Sequence, residues 1–291
     1  MSSHHNSLRW RSGVNLVVIA AALVAITVIT NAYSFNLMLR NFRQSLSSTA
    51  LIYTEQISGK VDKINSGSLE LVSLAASSQN YYTSSPLGRY LTQQDILTRL
   101  QDRIRYVESS DLYFFYRTDS DELLTALSNR ASTGSSYFWN QYLMLPPTQP
   151  ANTWFSVTCN GETWLMCYYN VSQVRVGAAV RAKTLLQSLY ADTGLVQDSG
   201  FALAGLDGTI VYSSQPDLMA CGTSLAGHIP ASLIVESHTV PEVGTLLLFR
   251  PSSDLLHQLS GSFGWLLLLN LLALAPVSYT HLRAHETGAY L

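Results

Sequence analysis

Two apolar runs bracket this chain and restrict what it can fold into. Val14–Tyr33 reads VNLVVIAAALVAITVITNAY, and no charged residue occurs from Val14 to Leu39. A helix needs about 20 such residues to cross the hydrocarbon core of a bilayer, so a first transmembrane helix is predicted over 14–36. The second run, FGWLLLLNLLALAPV at 263–277, is shorter than a full span. It is read as the start of a second transmembrane helix rather than as a re-entrant or buried core helix. Arg9 and Arg11 favour a cytoplasmic N-terminus over 1–13 by the positive-inside bias. The rival reading is a cleaved secretory signal, for which Thr30-Asn31-Ala32 is a poor cleavage site. On either reading residues 37–262 are expected outside the cytoplasm at a cell membrane, with the lipid bilayer as partner.

The tail 278–291, SYTHLRAHETGAYL, has no periodic relation to the run before it. It resembles translated sequencing-adaptor DNA. That resemblance implies a natural chain continuing past residue 277 and no biological role for 278–291. His281, His285 and Glu286 are accordingly not read as a metal site, despite tempting spacing.

Net charge is −2 and only 12% of residues are charged, so no nucleic-acid partner is expected. The three cysteines, 159, 167 and 221, cannot all pair internally. Asn160-Gly161 is a strong two-residue hairpin signal, and such a turn places Cys167 opposite Trp154. A Cys159–Cys167 disulfide is disfavoured by that register. No cysteine or histidine spacing suggests zinc, and no cofactor is implied.

Between the runs the period of the pattern changes several times. Ile57, Val61, Ile64, Ser68, Leu71 and Ala75 recur in alternating steps of four and three. This is one heptad-like stripe on a long helix over 37–82, weakened modestly by Gly59 and Gly67 and ended near Ser85-Pro86. A second helix is expected over Leu91–Val107, with Ile96 or Leu97, Leu100, Ile104 and Val107 on its apolar face. Strands follow at Leu112–Arg117 and Arg175–Arg181, with Trp154–Thr158 and Thr163–Val171 as a hairpin. Glu122–Leu127 reads as strand or short helix, and Tyr137–Leu145 as a helix ended by Pro146-Pro147. A helix is expected over Ala182–Tyr190. Gly200–Leu206 and Thr209–Ser213 then pair around Asp207-Gly208, and Thr239–Val240 pairs with Thr245–Arg250. Ser252 and Ser253 cap a helix starting at Asp254.

That order, with FALAGLDGTIVY at 201–212 and VGAAVRAKTLL at 176–186, resembles the double Cache family of bacterial extracytoplasmic sensors. The resemblance implies an α+β fold: a long N-terminal helix followed by two PAS-like antiparallel-sheet units, flanked by transmembrane helices. The long helix would be 37–82, the distal unit 83–190 and the membrane-proximal unit 191–255. It also implies a homodimer.

An antiparallel sheet with helices on one face leaves the other to be covered by loops, under which a small-molecule pocket can form. Tyr116, Arg117, Trp139, Tyr142, Trp154 and Tyr168 are the candidate ligand-binding residues. Rings with polar tips supply apolar walls and a few hydrogen bonds, and an arginine can clamp a carboxylate. Family members that bind amino acids carry Arg–x–Trp-Tyr; here Ser136, Tyr137 and Phe138 precede Trp139, so an amino-acid ligand is not implied. No catalytic constellation is present, and the chain as given is not expected to be an enzyme. The expected role is the ligand-sensing input region of a two-component sensor histidine kinase. A chemoreceptor or diguanylate cyclase input region and a membrane-tethered adhesion or assembly protein are the alternatives.

Overall fold

The structure, a computed structural model, describes residues 3–77, 85–107, 109–128, 151–159, 161–191, 199–226 and 229–253, with 264, 265, 268 and 272 beyond them. Two compact units result: Leu46–Arg250, and the residues on either side of it.

In the flanking unit, helix α1 (Ser3–Ser77) carries the first apolar run. Among the described residues it is the one helix long and apolar enough to cross a membrane. Val24, Ile26, Val28 and Ile29 are all more than half exposed, an apolar surface that lipid would cover. Two of the run's polar side chains bond back to the helix's own carbonyls, as hydrocarbon demands. Thr27 Oγ1 donates to the Leu23 carbonyl and Asn31 Nδ2 to that of Thr27, both at 2.8 Å. The second run and the helix expected from Asp254 lie outside the described residues, apart from isolated positions.

In the larger unit the heptad-like stripe is the buried face of α1: Ile57, Val61, Ile64, Ser68, Leu71 and Ala75 are each at most 2% exposed. Helix α2 (Pro86–Tyr106) follows. Ser85 caps it by accepting from the Gly88 N–H at 3.2 Å, and proline stands in its first turn, where a missing N–H costs nothing. The Ser85-Pro86 pair therefore starts the second helix. Ile96 and Leu100 form the buried face of α2; Leu97 and Ile104 are only half-buried.

A five-stranded sheet comes next: β1 (Leu112–Arg117), β2 (Glu122–Leu127), β3 (Phe155–Cys159), β4 (Glu162–Val171) and β5 (Val174–Arg181). The spatial order is β2-β1-β5-β4-β3, antiparallel throughout. Glu122–Leu127 is thus a strand. Cys159 pairs with Glu162 and Phe155 with Met166, the register a two-residue Asn-Gly turn dictates. Cys167 is a free thiol. The helix expected over Ala182–Tyr190 is two short ones, α3 (Ala182–Leu185) and α4 (Gln187–Ala191). The Tyr137–Leu145 helix lies outside the described residues.

The second sheet contains β6 (Gly200–Gly205), β7 (Ile210–Ser213), β8 (Leu233–Val240) and β9 (Gly244–Pro251), in the order β7-β6-β9-β8. Strand β8 is much longer than the Thr239–Val240 segment expected, because Leu233 and Ile234 are buried with it.

Both sheets turn one face to α1. Tyr113 on β1 donates its hydroxyl to the Ile64 carbonyl at 3.3 Å. A Cβ at Gly67 would collide with that hydroxyl, so the glycine admits the ring. His238 on β8 shares a hydrogen bond with Ser47 at 3.1 Å, and Glu242 in the β8–β9 turn accepts from Asn65 at 2.6 Å. Lys60 donates to the Leu185 carbonyl at 3.0 Å, and burial pushes its pKa down.

Candidate functional site

Side chains alternate across a strand, so the register decides which candidates meet. With Tyr113 on the helix side, Leu112, Phe114 and Tyr116 point to the outer side. They form one buried cluster with Trp164, Met166, Tyr168 and Ala179, against which Leu123, Leu127, Ala151 and Phe155 pack. Tyr116 and Tyr168 are therefore brought together on the outer face of the five-stranded sheet. Phe155 meets the Tyr168 ring edge to face at 6.1 Å.

Arg117 is not part of that group. It follows Tyr116 on the same strand, so it lies on the helix side, in register with Glu122 and Val174. Its guanidinium grips Asp119 through Nε at 3.2 Å and Nη2 at 3.1 Å. Only 4% of Arg117 is exposed, and a cation so buried and so paired is not available to clamp a ligand across the sheet. Trp154 is not part of that group either: it directly precedes Phe155, which packs on the outer cluster, so alternation turns it to the helix side. There it is 3% exposed and its indole N–H finds no acceptor among the described residues. Trp139 and Tyr142 lie outside the described residues.

The cation on the outer face is one that strand reading passed over. Arg175, the second residue of β5, is in register with Tyr116 on one side and Asn170 on the other. Its Cζ stands 5.9 Å from the centre of the Tyr116 ring, and it forms no ion pair among the described residues. The Tyr116 hydroxyl donates to Asp121 Oδ1 at 2.9 Å. Burial first, then Asp121, push the Tyr116 phenol above its ordinary pKa, with Arg175 pulling the other way. Burial likewise raises Tyr168 against the pull of Arg175. Arg175 thus acts electrostatically on both rings. Only period-two parity, counted from a known register, separates Arg175 from Arg117.

The far end of the sheet is occupied by structure. Asp111, fully buried, accepts from the Arg181 backbone N–H at 2.9 Å and from its guanidinium at 3.1 and 3.3 Å. Ser128 donates to it at 3.2 Å. A carboxylate with that many donors is a sheet fastening with no capacity left for a ligand.

No protein-family model matches the sequence, and no curated protein does either. Solved structures match the fold. The periplasmic sensory domain of the Campylobacter jejuni chemoreceptor Tlp1 superposes over 75% of this chain and 97% of its own, with a TM-score of 0.51 at 10% identity. The isoleucine-bound sensory domain of C. jejuni Tlp3 covers 77% of this chain and 98% of its own (TM-score 0.46, 8% identity). The Vibrio cholerae LuxQ periplasmic domain covers 72% and 99% (0.39, 12%). Two antiparallel sheets packed on one long helix, in this element order, give the chain the double Cache fold of extracytoplasmic sensory domains.

Proposed function

We propose that this chain is the ligand-sensing input region of a bacterial membrane receptor, anchored by α1, with its sheets outside the cytoplasm. The observation that carries this is α1 itself, which bears both a lipid-suited apolar run and the buried stripe on which both sheets hang. The ligand site lies over the outer face of the five-stranded sheet, on the floor that its close-packed rings make. Tyr116 and Tyr168 supply part of that floor, and the half-buried Arg175 supplies the positive charge.

The signal route runs through the helix side of the same sheet. Tyr113 holds α1 from β1, and Asn65, one residue beyond Ile64, holds the β8–β9 turn through Glu242. A ligand that tightens β1 against β4 and β5 would shift α1 against the second sheet. A coupling of about 1–3 kcal/mol is enough to change output populations severalfold. The output we propose is a histidine kinase. A chemoreceptor is the second reading, and the fold shared with the Tlp1 sensory domain favours it.

The test is thermal stabilisation of the full chain in nanodiscs against an array of small organic acids, sugars and amino acids. A stabilising compound is expected, and Arg175→Ala and Tyr168→Ala are each expected to weaken it at least tenfold while Arg117→Lys leaves its affinity unchanged. A hit equally strong in both outer-face variants moves the ligand elsewhere. Silence across the array favours the adhesion or assembly reading.

A further inference from the structure

The four-stranded sheet carries a cavity that the outer-face ligand site does not use. It has a volume of about 430 Å³, within the range of roughly 300–1,000 Å³ typical of small-molecule sites. Val235 on β8 and Leu247 on β9 form its floor, on the face of the sheet turned away from α1. On β6, next to β9, Ala202 and Ala204 face the same side. The first of these is in register with Leu247 and the second with Thr245. Gly208 lines the mouth at φ 75°, with open space where a side chain would begin.

Among the described residues the lining contains one charged residue, Asp207. Its carboxylate is held in a fixed orientation by Thr209, whose N–H donates to Oδ1 at 3.0 Å and whose hydroxyl donates to Oδ2 at 2.9 Å. A carboxylate has about four acceptor sites, so capacity remains for a further donor. Ser237 and Thr245 place hydroxyls, which accept as well as donate, in the same lining. An anion entering here would meet a carboxylate and, among the described residues, no lining cation.

We propose that this cavity is a second binding site, selective for a small organic cation with an apolar body: an ammonium group at Asp207 and its hydrocarbon over Val235 and Leu247. The site is independent of the one on the five-stranded sheet. Its electrostatic preference is also the reverse, since that face offers Arg175.

The experiment is calorimetric titration of the full chain in nanodiscs, with empty nanodiscs as blank, using phenethylammonium and its anionic counterpart 3-phenylpropionate. One equivalent of the amine is expected to bind, with the acid at least tenfold weaker. Asp207→Asn, which keeps an acceptor for the Thr209 N–H, should weaken the amine about fivefold, the scale of a partly exposed charge pair. Ser237→Trp, at an exposed position, should fill the cavity and abolish binding with the melting temperature retained. Arg175→Ala should change nothing. No binding at 10 mM amine, unchanged binding in Asp207→Asn and Ser237→Trp, equal binding of the acid, or loss in Arg175→Ala would each overturn the proposal.

Discussion

The two sheets hang on the same helix but are filled differently. The five-stranded sheet packs its outer face with rings: Phe114, Tyr116, Trp164 and Tyr168 are each at most 4% exposed. At the equivalent face of the four-stranded sheet the buried cluster holds a single ring, Phe249, and Val235 and Leu247 border a cavity. The first sheet is also fastened by a buried ion pair between Asp111 and Arg181. The lesson is that one architecture can carry a ring-packed sheet and a sheet bordered by an open cavity side by side.

The largest expected effect tests that contrast directly. Phe114→Ala removes a fully buried ring from a filled face and should cost about 3–5 kcal/mol. Leu247→Ala deletes a side chain that already borders open space, so less cavity is created and about 2 kcal/mol is expected. Chemical denaturation of the full chain in detergent measures both. Equal costs for the two variants would erase the packing difference between the sheets.

Much of this was legible in the sequence because periodicity is a local property. The stripe from Ile57 to Ala75 needed only its spacing, and Asn160-Gly161 set the β3–β4 register. Arg117 was misjudged for a physical reason. It stands beside Tyr116 in LYFFYR, and neighbours on a strand face opposite ways, so one ligand cannot meet both from one side. Choosing Arg175 instead requires knowing that β5 lies between β1 and β4, which no local pattern reveals. The cavity over the second sheet was invisible for a similar reason: its walls come from segments brought together only by the fold. Ser85-Pro86 could have been read either way, since serine then proline both stops one helix and starts the next.

A second effect, on the order of 2–3 kcal/mol between pH 9 and 11, separates the helix sides of the sheets. Burial, then the charge of Glu242, push the Cys167 thiol from its ordinary 9.0 up to about 12, with the Tyr169 hydrogen bond opposing. Above pH 9 the unfolded thiol ionises while the folded one keeps its proton. The folded state then holds more protons, so stability is complete below pH 9 and is lost as pH rises toward 12. Melting temperature should fall steadily over that range, and Cys167→Ala should flatten the slope. Glu242→Gln should flatten it partly, because that carboxylate comes from the turn of the other sheet. An unchanged slope in Cys167→Ala would mean the buried thiol is not the source.

The smallest effect uses α1 as its own control. Gly59 and Gly67 lie in the same helix, and replacing either with alanine should gain helix propensity worth about 0.5–1 kcal/mol. At Gly59 a Cβ meets nothing within 4 Å, so Gly59→Ala is expected to stabilise by about that amount. At Gly67 the new methyl runs into the hydroxyl of Tyr113, a ring that is fully buried and bonded to the Ile64 carbonyl. It has little room to yield, and overpacking of this kind costs about 1–3 kcal/mol, more than the propensity gain. The two substitutions should therefore move the denaturation midpoint in opposite directions. Gly67→Ala combined with Tyr113→Phe, which removes the obstructing oxygen, should recover most of the loss. Stabilisation by Gly67→Ala alone would show that the five-stranded sheet sits less tightly on α1 than the Tyr113 contact requires, and the proposed signal route through that contact would lose its first link.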